Sequence, residues 1–412
     1  MGGVLRERAE MKNPHPDPLP EYGARRKKGP ARENRIVPVI AGVGLISPLG
    51  DCLDSTWQSL MAGRYITDHS PAQFADRPGS ARIMQLAIAA AREAMRSAGP
   101  AASGRAACDA AVIIGTSKGP AQRWITPKPV EISFANIWAG RCGCVDGAGL
   151  GEVAAAVADA LDLAGPRLTY SAACASGLHA LIRGAMMIVD GDVDAALVIG
   201  AESSLQEIFL ASFQRLGLLA DLKIGCRPMD EFRDGLLVSE AAAAVWMVRS
   251  DSPDIGHVRL PIVVESMFMG SDGYHLTGVD PDGKALRTLI EQTLGESGVD
   301  LVHAHATGTR ANDGVELDAL DDALDRRGCN AIAYSHKGAL GHSLGASGMV
   351  STVLAVKSHQ TGTVAGNIRT SHPLATRHLQ ISQRPIHATI ARTLILAAGF
   401  GGPVATVCLK TR

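Results

Sequence analysis

The sequence predicts an α/β protein made of a duplicated unit. Three observations carry the prediction: strand, loop and helix signals alternate from Ile36 onward, one order of elements occurs twice, and 45 glycines accompany only 4% aromatic residues. Alternating strands and helices read as a sheet covered by helices, and a repeated order reads as duplication. A Gly-rich, aromatic-poor chain suits close backbone approach between layers better than an aromatic-rich sandwich does.

Residues 1–35 hold Pro14, Pro16, Pro18, Pro20 and Pro30 and the basic run Arg25-Arg26-Lys27-Lys28, with little apolar periodicity, which is the composition of a disordered tail. Ile36 to Val43 then reads as a buried strand, Ser47-Pro48-Leu49-Gly50 as a turn and Asp54 to Ala62 as a short helix. In Ala81 to Ala98 the residues Met84, Ala87, Ile88, Ala91 and Met95 recur at helical spacing. Ala110 to Gly115 and Asp194 to Gly200 are continuous apolar runs, as strands covered on both faces require. Tyr170-Ser171 leads through small residues into a helix from Leu178 to Val189 and on to the second of those strands. Tyr334-Ser335 leads through a Gly-rich turn into a similar helix, Gly345 to Lys357, with a strand from Thr393 to Ala398 later. The repeat divides the chain into halves at 36–255 and 256–412.

Composition excludes several classes of function. Lys plus Arg (40) nearly equal Asp plus Glu (41) in 412 residues, so no global charge draws the chain to nucleic acid or an anionic membrane. Eight cysteines are too sparse for a disulfide framework, which predicts a reducing, cytoplasmic setting. The longest charge-free apolar run, Leu394 to Leu409, is broken by Gly399-Phe400-Gly401-Gly402-Pro403 and falls short of the roughly 18 residues of a membrane span. The N-terminus has no apolar h-region, so no signal peptide is expected.

Three segments carry chemistry. Cys174 lies between an apolar strand end and a helix of small residues, where free N–H groups and the helix dipole lower a thiol pKa. Its neighbours Ala172, Ala173, Ala175, Ser176 and Gly177 leave room for a covalently bound chain. The second segment runs from His303-Ala304-His305-Ala306-Thr307-Gly308-Thr309 to Asn312-Asp313-Gly314-Val315-Glu316, a strand end followed by a polar loop and a helix start. His303 and His305 would point the same way on a strand, but with only a distant Cys142-x-Cys144 the pattern does not reach metal-ligand spacing, and no metal is expected. In the third segment Lys337 precedes His342 by five residues among glycines, a site-loop pattern rather than helix packing.

Taken together, Thr169-Tyr170-Ser171-Ala172-Ala173-Cys174-Ala175-Ser176-Gly177, His305-Ala306-Thr307-Gly308-Thr309 and Lys337 through His342 to Gly348 resemble, in order and spacing, the Cys-His-His motifs of β-ketoacyl-acyl-carrier-protein synthases. Ser47 to Gly50, Arg227-Pro228-Met229-Asp230, Arg233-Asp234-Gly235 and Gly399 to Gly402 extend the resemblance from about residue 36 to the end. It implies the thiolase fold, a duplicated five-layer αβαβα architecture, in a protein that is normally dimeric. It also implies Cys174 as nucleophile, His305 and His342 as supports of malonyl decarboxylation, and Lys337 with Glu316 as a bracing ion pair. Thr307 and Thr309 match hydroxyls that bind phosphopantetheine; Phe400 matches an acyl-pocket gate whose N–H, with that of Cys174, forms an oxyanion hole. No cofactor is implied beyond the phosphopantetheine of an acyl carrier protein, the expected partner. The dimer could be homomeric or pair with a related synthase, and a non-condensing subunit or decarboxylating initiator is the competing reading. The chain departs from the family pattern at Ala306, at Ser239-Glu240-Ala241-Ala242-Ala243, at Pro403-Val404 and in a shortened stretch between Arg64 and Gly165, which implies a specialised acyl preference.

Overall fold

In the computed structural model, which describes residues 36–76, 80–125 and 149–412, the strand signals assemble into one 11-stranded mixed sheet. The tail expected at residues 1–35 lies outside the described residues, as do Cys142 and Cys144. The strands are β1 (Pro38–Ile46), β2 (Ala111–Gly115), β3 (Arg167–Tyr170), β4 (Ala195–Glu202), β5 (Ala241–Arg249), β6 (Ile262–Ser271), β7 (Leu301–His303), β8 (Ala331–Tyr334), β9 (Thr363–Val364), β10 (Leu379–Gln380), β11 (Ile386–His387), β12 (Arg392–Ala398) and β13 (Pro403–Thr411). β9 and β11 form a separate ribbon.

The repeat is visible in the order of the strands. One end of the sheet reads β3-β2-β4-β5-β1 and the other β8-β7-β12-β13-β6, with β10 added beside β8. Direction repeats too: β2 is parallel to β3 and β4, and β7 to β8 and β12, while β4–β5–β1 and β12–β13–β6 pair antiparallel. The two stretches meet where β1 and β6 pair through Val39–Val263 and Ile40–Ile262.

Alternation along the strands builds the layers. In β5, Ala241, Ala243, Val245 and Met247 face one core, while Ala242, Ala244, Trp246 and Val248 face another. In β12, Ile395 and Ala397 join the first of these cores, and Leu394 and Leu396 a third. The shared core holds two helices, Ser176–Asp190 and Ser347–Thr361, sandwiched between the two halves of the sheet. The outer cores are covered by Arg82–Ala98 with Glu152–Ala160 on one side, and by Lys284–Leu294 with Asp313–Asp325 on the other. The result is five layers, αβαβα.

A helix in a middle layer has no solvent face, and twelve of the 15 residues of Ser347–Thr361 are buried. Hydroxyls on it turn back on the backbone, Thr352 to Gly348 O at 2.9 Å and Ser358 to Leu354 O at 3.0 Å, while Ser351 Oγ meets His336 Nδ1 at 3.4 Å. The outer helix Arg82–Ala98 instead lies directly on β1. A Cβ at Gly44 would stand 2.2 Å from Ala90 O, and one at Gly42 2.1 Å from Ala94 O, so only glycine permits this approach.

Candidate active site

Both central helices begin at the same place in the fold, and the loops before them carry the sulfur and one imidazole. Between β3 and the helix Ser176–Asp190, Ala173 adopts φ +47°, a left-handed conformation that costs a non-glycine residue about 1 kcal/mol. Ser176 holds the bend by accepting from Ala172 N–H at 2.9 Å and donating to Ala173 O at 2.6 Å. Gly399, from the turn between β12 and β13, packs against the outside of the bend, where a Cβ would lie 2.9 Å from Ala172 O and 3.0 Å from Cys174 N. The N–H groups of Cys174 and Phe400 donate no hydrogen bond among the described residues.

His342 arrives from the second half. Its N–H donates to Leu237 O at 2.7 Å and its carbonyl accepts from Ser239 N–H at 3.1 Å, which fixes the backbone, and its Nε2 lies 3.2 Å from Cys174 Sγ. The His305 ring packs edge-on to His342 at 5.6 Å between centroids. Cys174, His305 and His342 line one cavity of about 100 Å³, together with Phe400, Thr307 and Thr309. The hydroxyls of the two threonines are 2.9 Å apart. Val404, one residue into β13, lines the same cavity.

Lys337 and Glu316 are both buried here, but among the described residues no ion-pair contact joins them. The expectation of a direct contact is corrected by the peptide between them. Glu316 accepts from the N–H groups of His305 (2.6 Å) and Ala306 (2.7 Å) and from Asn312 Nδ2 (3.0 Å), while Lys337 Nζ donates to the carbonyl of His305. The two side chains thus clamp His305 from opposite ends of its backbone.

Electrostatics also corrects the expected lowering of the thiol pKa. Burial pushes Cys174 up to about 11, because loss of water penalises a thiolate more than the positive charges of Lys118 and Lys337 favour it. Burial likewise holds His305 and His342 well below the usual imidazole range, with Lys337 adding to the effect, so both are neutral at physiological pH. Lys337 itself is lowered to about 8 by burial, against the pull of Glu316. Glu316 is raised to about 6, again chiefly by burial.

The second histidine of the pair expected on one strand face departs from it. β7 ends at His303, so the period of two stops there: His303 is buried against Tyr334 and His336, whereas His305 faces the cavity. Sequence reasoning also missed three groups. Asp313, at the start of its helix, accepts from the N–H groups of Met229, Thr307 and Gly308 and shapes the threonine loop. Glu202 accepts from Ser117 and Gly345 beside the sulfur. Lys118 stands three residues past the wholly apolar β2, and a charge so soon after a buried strand was its available signal.

The fold is thiolase-like, and the cavity that holds Cys174, His305 and His342 lies where its two central helices begin. The chain belongs to the beta-ketoacyl synthase family: residues 79–252 match the N-terminal domain of that family and residues 262–371 its C-terminal domain. It is accordingly an acyltransferase of the 3-oxoacyl-[acyl-carrier-protein] synthase family, whose reaction is a ketosynthase condensation. It is 26% identical to 3-oxoacyl-[acyl-carrier-protein] synthase 2 of Coxiella burnetii over 90% of this chain and 98% of that protein. It is 29% identical to the actinorhodin polyketide putative beta-ketoacyl synthase 1 of Streptomyces coelicolor, over 90% and 88% of the two chains. In fold it is similar to a type II PKS ketosynthase solved with its acyl-carrier protein (TM-score 0.79, 19% identity, 92% of this chain and all of that one). The ishigamide ketosynthase/chain length factor is also similar (TM-score 0.76, 24% identity, 92% of this chain and all of that one). No helix among the described residues is long and apolar enough to cross a membrane.

Proposed function

We propose that this chain catalyses decarboxylative Claisen condensation on Cys174 with malonyl-acyl carrier protein, as a cytoplasmic synthase of a specialised fatty-acid or polyketide-like pathway. The observation that carries the reading is the 3.2 Å approach of His342 Nε2 to Cys174 Sγ, with His305 beside it in one cavity. The sulfur attacks the acyl thioester, its proton leaves through the neighbouring imidazole, and the phosphopantetheine thiolate departs and takes up a proton. The carbonyl oxygen turns negative in passing, and the free N–H groups of Cys174 and Phe400 are its donors. Malonyl carrier protein then binds with its arm along Thr307 and Thr309. The bond to its carboxylate breaks, CO₂ leaves, and the electron pair becomes an enolate that accepts hydrogen bonds from the neutral His305 and His342, each worth about 3 kcal/mol. The carbanion attacks the acyl-Cys174 carbonyl; a C–C bond forms, the C–S bond breaks and the thiolate returns.

Pro403 and Val404 support a specialised preference, because the Phe400 turn closes through Gly399 N–H to Pro403 O at 2.8 Å and Val404 reaches the cavity. A dimer is supported by β3, which ends the sheet with one edge unpaired among the described residues. Residues 36–255 and 256–412 are the two duplicated halves in this reading. The test is mass spectrometry of the chain after incubation with a panel of acyl-carrier-protein thioesters. Wild type gains the acyl mass on the Cys174 peptide and Cys174→Ala does not; adduct that persists in Cys174→Ala refutes the assignment.

A further inference from the structure

We infer that Lys118 makes the acyl site selective for acyl groups that carry a carbonyl or carboxylate oxygen, an inference that rests on the acyl-transfer reading above. Lys118 stands in the turn after β2, and the turn is fixed by Glu202, which accepts from Ser117 N–H at 2.8 Å and from Ser117 Oγ at 2.6 Å. The same carboxylate accepts from Ser204 Oγ and Gly345 N–H, so its oxygens are occupied. Lys118 is in ion-pair contact with no carboxylate among the described residues. Its Nζ donates to Ser117 Oγ at 3.1 Å and lies over the rings of Phe209 and Phe213, 5.0 and 5.5 Å from their centroids.

Phe213 also lines the Cys174 cavity, so the ammonium stands one ring away from the space that an acyl group on the sulfur enters. Its charge reaches the site: it is the leading electrostatic influence favouring the Cys174 thiolate, and it also acts on His342. Aromatic faces attract a cation but accept no conventional hydrogen bond, which leaves two of the three ammonium donors to water. A saturated chain laid against them strips that water and returns nothing. A chain oxygen that reaches past the Phe213 ring replaces it with a hydrogen bond, within a cavity walled by Phe213, Leu218 and Leu344. Lys118 is half-buried, and a donor that must give up its water discriminates against a ligand lacking a partner for it.

The experiment is competitive loading of the full chain with equimolar carrier-protein thioesters of hexanoate, 5-oxohexanoate and mono-adipate, read as adducts on the Cys174 peptide. Wild type favours the two oxygenated groups over hexanoyl by about tenfold, Lys118→Met removes the preference and Lys118→Arg retains it. More adipoyl than 5-oxohexanoyl identifies a charged partner, and the reverse identifies a neutral carbonyl. Equal or greater loading of hexanoyl in wild type overturns the inference, whether or not Lys118→Met folds; so does an unchanged ratio in a folded Lys118→Met. Absence of adduct from every thioester overturns the acyl-transfer reading itself, whereas loading without discrimination overturns only the role of Lys118.

Discussion

Cys174 joins a thiol raised to about 11 with an imidazole 3.2 Å away that burial keeps neutral. At pH 7 the thiolate share is on the order of one part in ten thousand, so reactivity comes from proton transfer during attack rather than from a standing thiolate. The rate of Cys174 alkylation by iodoacetamide should therefore climb about tenfold per pH unit from pH 7 to 10. Peptide mapping measures it, with the exposed Cys108 as an internal reference; a plateau near pH 8 at Cys174 contradicts the buried-thiol account. His342 thus acts in loading as the proton acceptor and again in condensation, whereas His305 acts in condensation. His305→Ala and His342→Ala should each lower condensation by about 10²–10³-fold, since each removes one donor to the enolate, and acyl loading should suffer less in His305→Ala than in His342→Ala, which also loses the proton acceptor. Condensation at the wild-type rate in either variant places the reaction elsewhere.

Elements were legible where periodicity governs them. The helix expected at Ala81 to Ala98 is found at Arg82–Ala98, and the apolar run at Ala110 to Gly115 is β2. β1 runs to Ile46, beyond the expected Val43, because pairing with β5 continues through Ile46–Ala242 whatever the local propensity. Close packing at these elements is testable. Gly44→Ala should cost about 1–3 kcal/mol in denaturant unfolding, since its methyl group meets the carbonyl of Ala90 rather than a movable side chain. Asp313→Ala should cost about 3 kcal/mol by leaving the N–H groups of Met229, Thr307 and Gly308 without their acceptor. An unchanged midpoint in either variant means that the backbone relaxes there.

At the scale of the whole molecule, the five layers bury histidines that the unfolded chain exposes. His303 is lowered to about 3 and His359 to about 4, and His305, His336 and His342 lie well below their ordinary value, all chiefly through burial. Between pH 6.5 and 4 the unfolded chain binds protons at these positions and the folded chain does not, so stability is full above about 6.5 and falls as pH drops toward 4. Raised Glu93, Asp313 and Glu316 act in the opposite direction, three carboxyls against seven lowered histidines once His69 and His179 are counted. The melting temperature should hold steady near neutrality and decline through this window; a flat profile down to pH 4.5 shows that the buried histidines are not the groups that matter.

The sequence by itself determined the α/β class, the duplicated order of elements and the three segments that carry sulfur and imidazole, because apolar periodicity and short motifs are local properties. Tertiary structure alone decided how those segments meet. Cys174 and His342 are 168 residues apart and touch because both precede central helices that share one layer. It also decided that Glu316 and Lys337 grip one peptide instead of each other, and that Cys174 is raised rather than lowered. A hydrogen-bond partner and a degree of burial depend on what the rest of the chain places nearby, and no spacing along the sequence records that.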